Sequence, residues 1–456
     1  MVCKQAMFTK TISLKATLCS LAFVVAFSLG FHVAVAHAEG NGPDAHTSDS
    51  TQSSTGERVI YLPLVMQAAT ADRSEPTPND AYFKQEWGLE AVKASQAWGL
   101  TRGSSSVVVA VLDTGADWNH PDLANKLVSG WNVIDDNDNT QDDHGHGTHV
   151  AGIIGAATNN VIGVAGLGWD TKVMPVKIAT RLGYTWSSAI ASGIRYAADH
   201  GANVINMSVA GAIPCPGDVQ AAVNYAYEKG IVLVASAGND GANTSNLPAN
   251  CTHVLGAAAT ASDGSLASYS SYGNHVSVAA PGSGIYSTMM GGGYGYMSGT
   301  SMAAPYVAGL AALVHSRYSV YTPDQIASAI LDNADDVGPA GWDQHAGCGR
   351  INAFQSLSMG ARGDAPLCLL GAATPVSPTS QSFATAPFVP GRIIVSFHSG
   401  AKVTQTAQRY GTGEFEPALN AWKIKVPQGQ EQAVLAALRT DPSVSYATLD
   451  YELVIR

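Results

Sequence analysis

Charge is scarce in this chain. Only 13% of its 456 residues are Asp, Glu, Lys or Arg, and 24 basic residues face 35 acidic ones, for a net charge of −11. A deficit of that sign argues against nucleic acid or an anionic membrane surface as partner. Cysteine is sparse, at six, and internal repeats are absent. What is plentiful is apolar surface, 46% of residues, and glycine, 47 in all. That mixture suits a compact, loop-rich extracellular protein with a large core, and the length suits two domains with tails.

The first segment explains the compartment. Lys4, Lys10 and Lys15 precede an apolar run from Ala16 to Ala36, and Ala36-His37-Ala38 closes it with a small-x-small pattern. This reads as a secretory signal peptide over 1–38, cut after Ala38. An uncleaved anchor is the alternative, because the run is nearly long enough to span a bilayer. Cleavage removes Cys3 and Cys19 and leaves Cys215, Cys251, Cys348 and Cys368. Outside the cell an even count points to disulfides; of the three pairings, Cys215–Cys251 with Cys348–Cys368 is expected.

Residues 39–73, rich in Ser, Thr, Gly and Asp, read as a flexible lead-in. Over 74–360 short apolar runs alternate with helix-period segments. The runs are VVVAVLD, KVMPVKI, NVINMS, IVLVASAG and HVSVAAP; the helical stretches are HVAGIIGAAT, WSSAIASGIRYAADH and VQAAVNYAYEKG. That alternation predicts an α/β fold, a parallel sheet covered by helices on both faces. A Pro/Ser/Thr-rich linker follows over 361–387. Residues 388–456 then give strand, helix, strand, helix and strand, the scale of a small α+β split-βαβ, ferredoxin-like domain.

Three stretches carry chemistry. VVVAVLDTGADWNHPDL places Asp113 at the end of an apolar strand, where α/β sheets build their sites. HGTHVAG places His146 at the mouth of a helix. SGTSMAAPYVAG places Ser301 just ahead of another helix, whose first N–H groups point at developing negative charge. A serine hydroxyl needs a base to become a nucleophile, and the base needs a carboxylate to hold its tautomer. Each motif alone is as well explained by a turn or a helix cap. The cluster His144, His146 and His149 also allows a metal site.

Together, DTG, HGTHVAG and GTSMAAPYVAG resemble the three signatures of the subtilisin-like serine proteases. Across about 73–360, TPNDAYF, QAWG, GWNVID, TNNVIGVAGLG and INAFQSL resemble the thermitase-like members of that family. The resemblance implies a secreted, monomeric endopeptidase acting on protein and peptide substrates. It makes Asp113, His146 and Ser301 a catalytic triad, in an order that is itself part of the match. Asn239 becomes an oxyanion donor, while His149 becomes structural and His144 a neighbour. Ser208, Val209, Ala210 and Gly211 become the edge that pairs with substrate main chain, with Ala210 where glycine is usual. Asp240 is expected either near the floor of the primary pocket or as a solvated acid.

The resemblance also implies a tight Ca2+ site from Asp80, Asp122, Thr158, Asn160, Ile162 and Val164. A second cation is expected in the loop holding Asp135, Asp136, Asp138, Asp142 and Asp143, unless that loop is merely solvated. The last module resembles the prodomain of the same proteases, although there it precedes the catalytic domain. The expectation is an intramolecular inhibitor or folding aid that docks with Val454, Ile455 and Arg456 in or near the cleft. Rival readings are a metal-dependent hydrolase built on the three histidines, and a non-catalytic scaffold plugged by its own tail.

Overall fold

The structure is a computed structural model that describes residues 75–369, 386–399, 401, 407 and 409–455. The expected signal peptide and lead-in lie outside the described residues, as do most of the linker and of the helix expected over 401–410.

The chain enters through two short helices, α1 (Trp87–Ala91) and α2 (Ala94–Trp98), and then alternates. The order is β1 (Val108–Asp113), β2 (Trp131–Asn132), α3 (His146–Gly155), β3 (Lys172–Lys177), β4 (Tyr184–Trp186), α4 (Ser187–Asp199), β5 (Val204–Met207), α5 (Gly217–Glu228), β6 (Val232–Ser236), β7 (Val254–Thr260) and β8 (Val278–Pro281). Seven of these strands form one parallel sheet in the order β2-β3-β1-β5-β6-β7-β8. A hairpin, β9 (Ile285–Met289) with β10 (Gly293–Met297), then leads into α6 (Thr300–Arg317), α7 (Pro323–Leu331) and α8 (Ala353–Met359).

Strand β1 shows why the sequence read as unbroken hydrophobic runs. Its side chains alternate between two cores: Val109 and Val111 pack on one face of the sheet, Ala110 and Leu112 on the other. A strand buried on both faces has no polar side to show. The first core holds α3 and α6, and the second holds α4 and α5. Disulfides Cys215–Cys251 and Cys348–Cys368 form as expected.

The C-terminal segment adds β11 (Phe388–Phe397), β12 (Thr412–Glu416), β13 (Ala421–Lys425), α9 (Glu431–Thr440) and β14 (Val444–Val454). Its antiparallel sheet runs β12-β13-β11-β14-β4. The fifth strand, β4, belongs to the first part of the chain. Glu452, Leu453 and Val454 pair with Trp186, Thr185 and Tyr184, and Ile455 N–H donates to the Gly183 carbonyl at 2.8 Å. Ile393, Leu449, Tyr451 and Leu453 continue the core formed on α4 and α5.

Candidate active site

Asp113 ends β1 and His146 opens α3. His146 Nδ1 lies 2.8 Å from Asp113 Oδ1 and 3.0 Å from Oδ2, and the Thr114 N–H donates to Oδ1 at 2.7 Å. The pair is buried, with 0% of Asp113 and 4% of His146 exposed. The close approach needs Gly147: a Cβ there would sit 2.1 Å from the Gly115 carbonyl and 3.1 Å from Asp113 Cβ. Burial pulls the His146 imidazole down, but the Asp113 charge and hydrogen bond, with help from Asp142, outweigh it and hold the ring above the ordinary histidine range.

Asp142 is held by protein donors. It is buried, and it accepts from Thr114 Oγ1 at 2.8 Å, Gly145 N–H at 2.9 Å, His144 N–H at 3.0 Å, and Thr148 N–H and Oγ1 at 2.9 and 2.6 Å. It caps α3 and ties the His146 turn to the Asp113 turn. Asp143 pairs with Lys177 at 2.6 Å. Two of the five loop carboxylates expected around a second ion are therefore engaged otherwise, which leaves Asp135, Asp136 and Asp138.

The three histidines do not converge. His149 Nε2 faces the Ile285 and Gly295 carbonyls at 3.1 and 3.2 Å, and burial pulls it down to about 4. His144 is exposed beside Gly183. Among the described residues no group of three or more His, Cys, Asp or Glu is placed to hold a metal ion.

Ser301 is the second residue of α6, which packs on α3. Its Oγ donates to the Ser208 carbonyl at 3.2 Å, and Ser208 Oγ donates to the Ser301 carbonyl at 2.8 Å. His146 Nε2 has no partner. Asn239 follows β6. Its Oδ1 accepts from Thr300 N–H and Oγ1, both at 2.9 Å, which leaves the Nδ2 end as a donor. Asp240 is exposed, with its amide held by Ser271 Oγ at 3.1 Å. Gly211 pairs with Leu247 and packs on the Leu453 side chain, so a Cβ there would clash. The β4 edge beside it escaped the sequence reading, because three residues with no clear alternation carry little signal.

Asp80 and Asp122 are brought together by the loop after α3. Asp80 accepts from Asn159 and Asn160 N–H at 2.7 and 3.3 Å; Asp122 accepts from Asn160 Nδ2 at 2.8 Å and Val164 N–H at 2.9 Å. Both are buried and neither pairs with a cationic side chain among the described residues. Two buried acids with no counter-charge, beside a loop rich in carbonyls, are a donor set that fits Ca2+.

The profile of the subtilase family matches residues 104–349, and the profile of the fervidolysin N-terminal prodomain matches residues 374–450. Thermitase of Thermoactinomyces vulgaris is 43% identical over 284 residues, covering 62% of this chain and 99% of thermitase. Subtilisin Savinase of Lederbergia lenta is 38% identical over 267 residues, covering 59% and 96%. The solved structure of a protease from Pseudoalteromonas arctica superposes with a TM-score of 0.59 at 34% identity, covering 62% of this chain and 99% of that one. The parallel sheet, the motifs it carries and these matches agree: the chain belongs to the subtilase family of serine proteases.

Proposed function

We propose that this subtilase is an exported, Ca2+-stabilised endopeptidase of broad specificity, held in check by its own C-terminal module. The observation that carries the reading is the buried Asp113–His146 pair, with Ser301 at the start of the adjoining helix. Ser301 Oγ turns from the Ser208 carbonyl to give its proton to His146 Nε2 and attacks the scissile carbonyl carbon. The carbonyl electron pair moves onto oxygen, where Asn239 Nδ2 and the Ser301 N–H stabilise it. The intermediate collapses, the amine leaves with the His146 proton, and an acyl-enzyme remains. Water, deprotonated by His146, repeats the attack and frees Ser301. Extended main chain lies along β4 and the Ser208–Gly211 segment, a contact that reads backbone more than sequence. Ala210 narrows the primary pocket slightly.

Asp80, Asp122, the Asn160 side chain and the carbonyls of Thr158, Ile162 and Val164 would hold Ca2+, which supplies charge neutralisation rather than catalysis. Chelation should therefore lower Tm. At ion concentrations about a hundredfold over Kd the bound ion contributes roughly 3 kcal/mol, or about 5–10 °C. Asp122→Ala should abolish that difference. Casein hydrolysis at 25 °C should persist after chelation for as long as circular dichroism reports the fold. Immediate loss with the fold intact would return the argument to a histidine-bound metal.

The module's part rests on β14 occupying the β4 edge and setting Leu453 on Gly211. Leu453→Arg puts a charge into that contact. The full chain carrying it should hydrolyse a small peptide at least tenfold faster than the parent, with unchanged circular dichroism. An equal rate in both would remove the module as inhibitor. Export agrees with the leader expected at 1–38 and with a match to an extracellular protease of Xanthomonas campestris pv. campestris. Among the described residues no helix is long and apolar enough to cross a membrane.

A further inference from the structure

The module meets the rest of the chain through a pair of buried acids. Asp450, on β14, is 0% exposed. It accepts from Ser188 N–H at 3.0 Å, Ser188 Oγ at 2.9 Å and Arg392 of β11 at 2.9 Å. Asp218, in the first turn of α5, is 1% exposed on the other side of the contact. Between them stands Ser187 Oγ, 3.3 Å from Asp450 Oδ1 and 3.4 Å from Asp218 Oδ2. It already accepts from the Tyr451 N–H at 3.2 Å.

A hydroxyl has one proton and serves one carboxylate at a time. Asp218 Oδ1 is buried without a partner, as is the Tyr446 hydroxyl. The groups facing the pair are Ser187, Ser188 and Arg195 from α4, Arg392 from β11, and Tyr446 and Tyr451 from β14, with Arg439 of α9 near Tyr451. Arg392 is bonded to Asp450, and the Arg195 guanidinium lies 4.9 Å over the Tyr225 ring. Ser188 Oγ and Arg392 already serve Asp450, whereas Asp218 has only the shared Ser187 hydroxyl as a side-chain donor beside it and no cation bonded to it among the described residues.

We propose that the module is fastened by a proton-dependent latch, in which Asp218 takes up a proton as β14 docks and releases it as β14 leaves. The inference rests on the reading of the module as an inhibitor and supplies its trigger. Burial first, and the Asp450 charge second, push Asp218 up to about 7, against the pull of the N–H groups at the start of α5. Once β14 leaves, Asp218 regains water at a helix N-terminus, a setting that favours the carboxylate.

The docked chain therefore holds the extra proton. Docking is tightest in acid and weakens as pH climbs from the ordinary carboxylate range to about 7, by up to roughly tenfold per pH unit. Above that it levels off. Acid keeps the cleft covered, and neutral or alkaline medium opens it.

The test uses the full chain with Ser301→Ala, so that self-cleavage does not blur docking. Hydrogen exchange of β14, corrected for the intrinsic rate, is followed from pH 5 to pH 8. Protection should fall by roughly a hundredfold between pH 5 and 7. With Asp218→Asn added, which keeps the shape and carries no charge, protection should be flat and should persist at pH 8. Equal protection at both ends in the parent, or the same fall in the Asn variant, would overturn the latch. Should Asp218→Asn misfold, Asp218→Ser, which also carries no charge, replaces it: flat protection supports the latch and a retained slope refutes it. The intact mass of the Ser301→Ala chain reports separately on the nucleophile, because a chain that still cuts itself condemns that assignment and leaves the exchange result untouched.

Discussion

Ser301→Ala reduces kcat for peptide hydrolysis by roughly a millionfold while the melting curve stays within experimental error of the parent. The magnitude is carried over from subtilisin, where loss of the nucleophile costs about that much. The reason it applies here is geometric. Ser301 sits at the N-terminal turn of α6, its Oγ hydrogen-bonds to the Ser208 carbonyl, and its removal leaves the Ser208 hydroxyl still bonded to the Ser301 main chain. One marginal hydrogen bond and no packing are lost, so stability changes little. Rate and stability are therefore expected to part company. A fall in both together would mark Ser301 as structural.

Asp113→Asn should cost about ten-thousandfold in kcat, the scale found when a triad carboxylate becomes an amide. Asp113 accepts from His146 Nδ1 at 2.8 Å and from the Thr114 N–H at 2.7 Å on the same oxygen. An amide sets an NH2 beside His146 Nδ1 in place of one of the two carboxylate oxygens that now lie within 3.0 Å of it, which favours the tautomer that accepts at Nδ1 and carries its proton on Nε2. That nitrogen can then no longer take the serine proton. The pH profile should move as well. His146 acts as a base only when neutral, so kcat/KM rises with pH through its pKa. Asp113 and Asp142 hold that pKa above the ordinary value. Removing the Asp113 charge should shift the rising limb to lower pH. A limb that stays in place would mean that Asp113 does not act on His146. Kinetics from pH 5 to 10 on the variant and the parent decide it.

What the sequence disclosed followed from burial. Strands β1, β3, β5, β6 and β8 announced themselves because residues covered on both faces leave long apolar runs. Strand β7, VLGAAAT, did not: alanine and glycine say little for a strand, and only the tight sheet interior explains them. Strand β4 is three residues long and owes its definition to a partner some 270 residues away in the chain, which no local pattern can reveal.

At the site, motif residues were legible because catalysis dictates their types. The supports were less so. Asp142 looked like one more acid in an acidic loop, yet it is the residue that five donors converge on. The acid pair of Asp218 and Asp450 was silent, since nothing in either neighbourhood says that the two will meet. Only the docking of β14 puts them together.

The most direct test of the account is to treat the casein-active chain with a fluorophosphonate ester and to locate the adduct by peptide mass mapping. The account predicts one phosphonyl group per chain, on Ser301, with activity lost in proportion, and no labelling after His146→Ala. Full activity with Ser301 unlabelled, and loss of activity only on chelation, would contradict it.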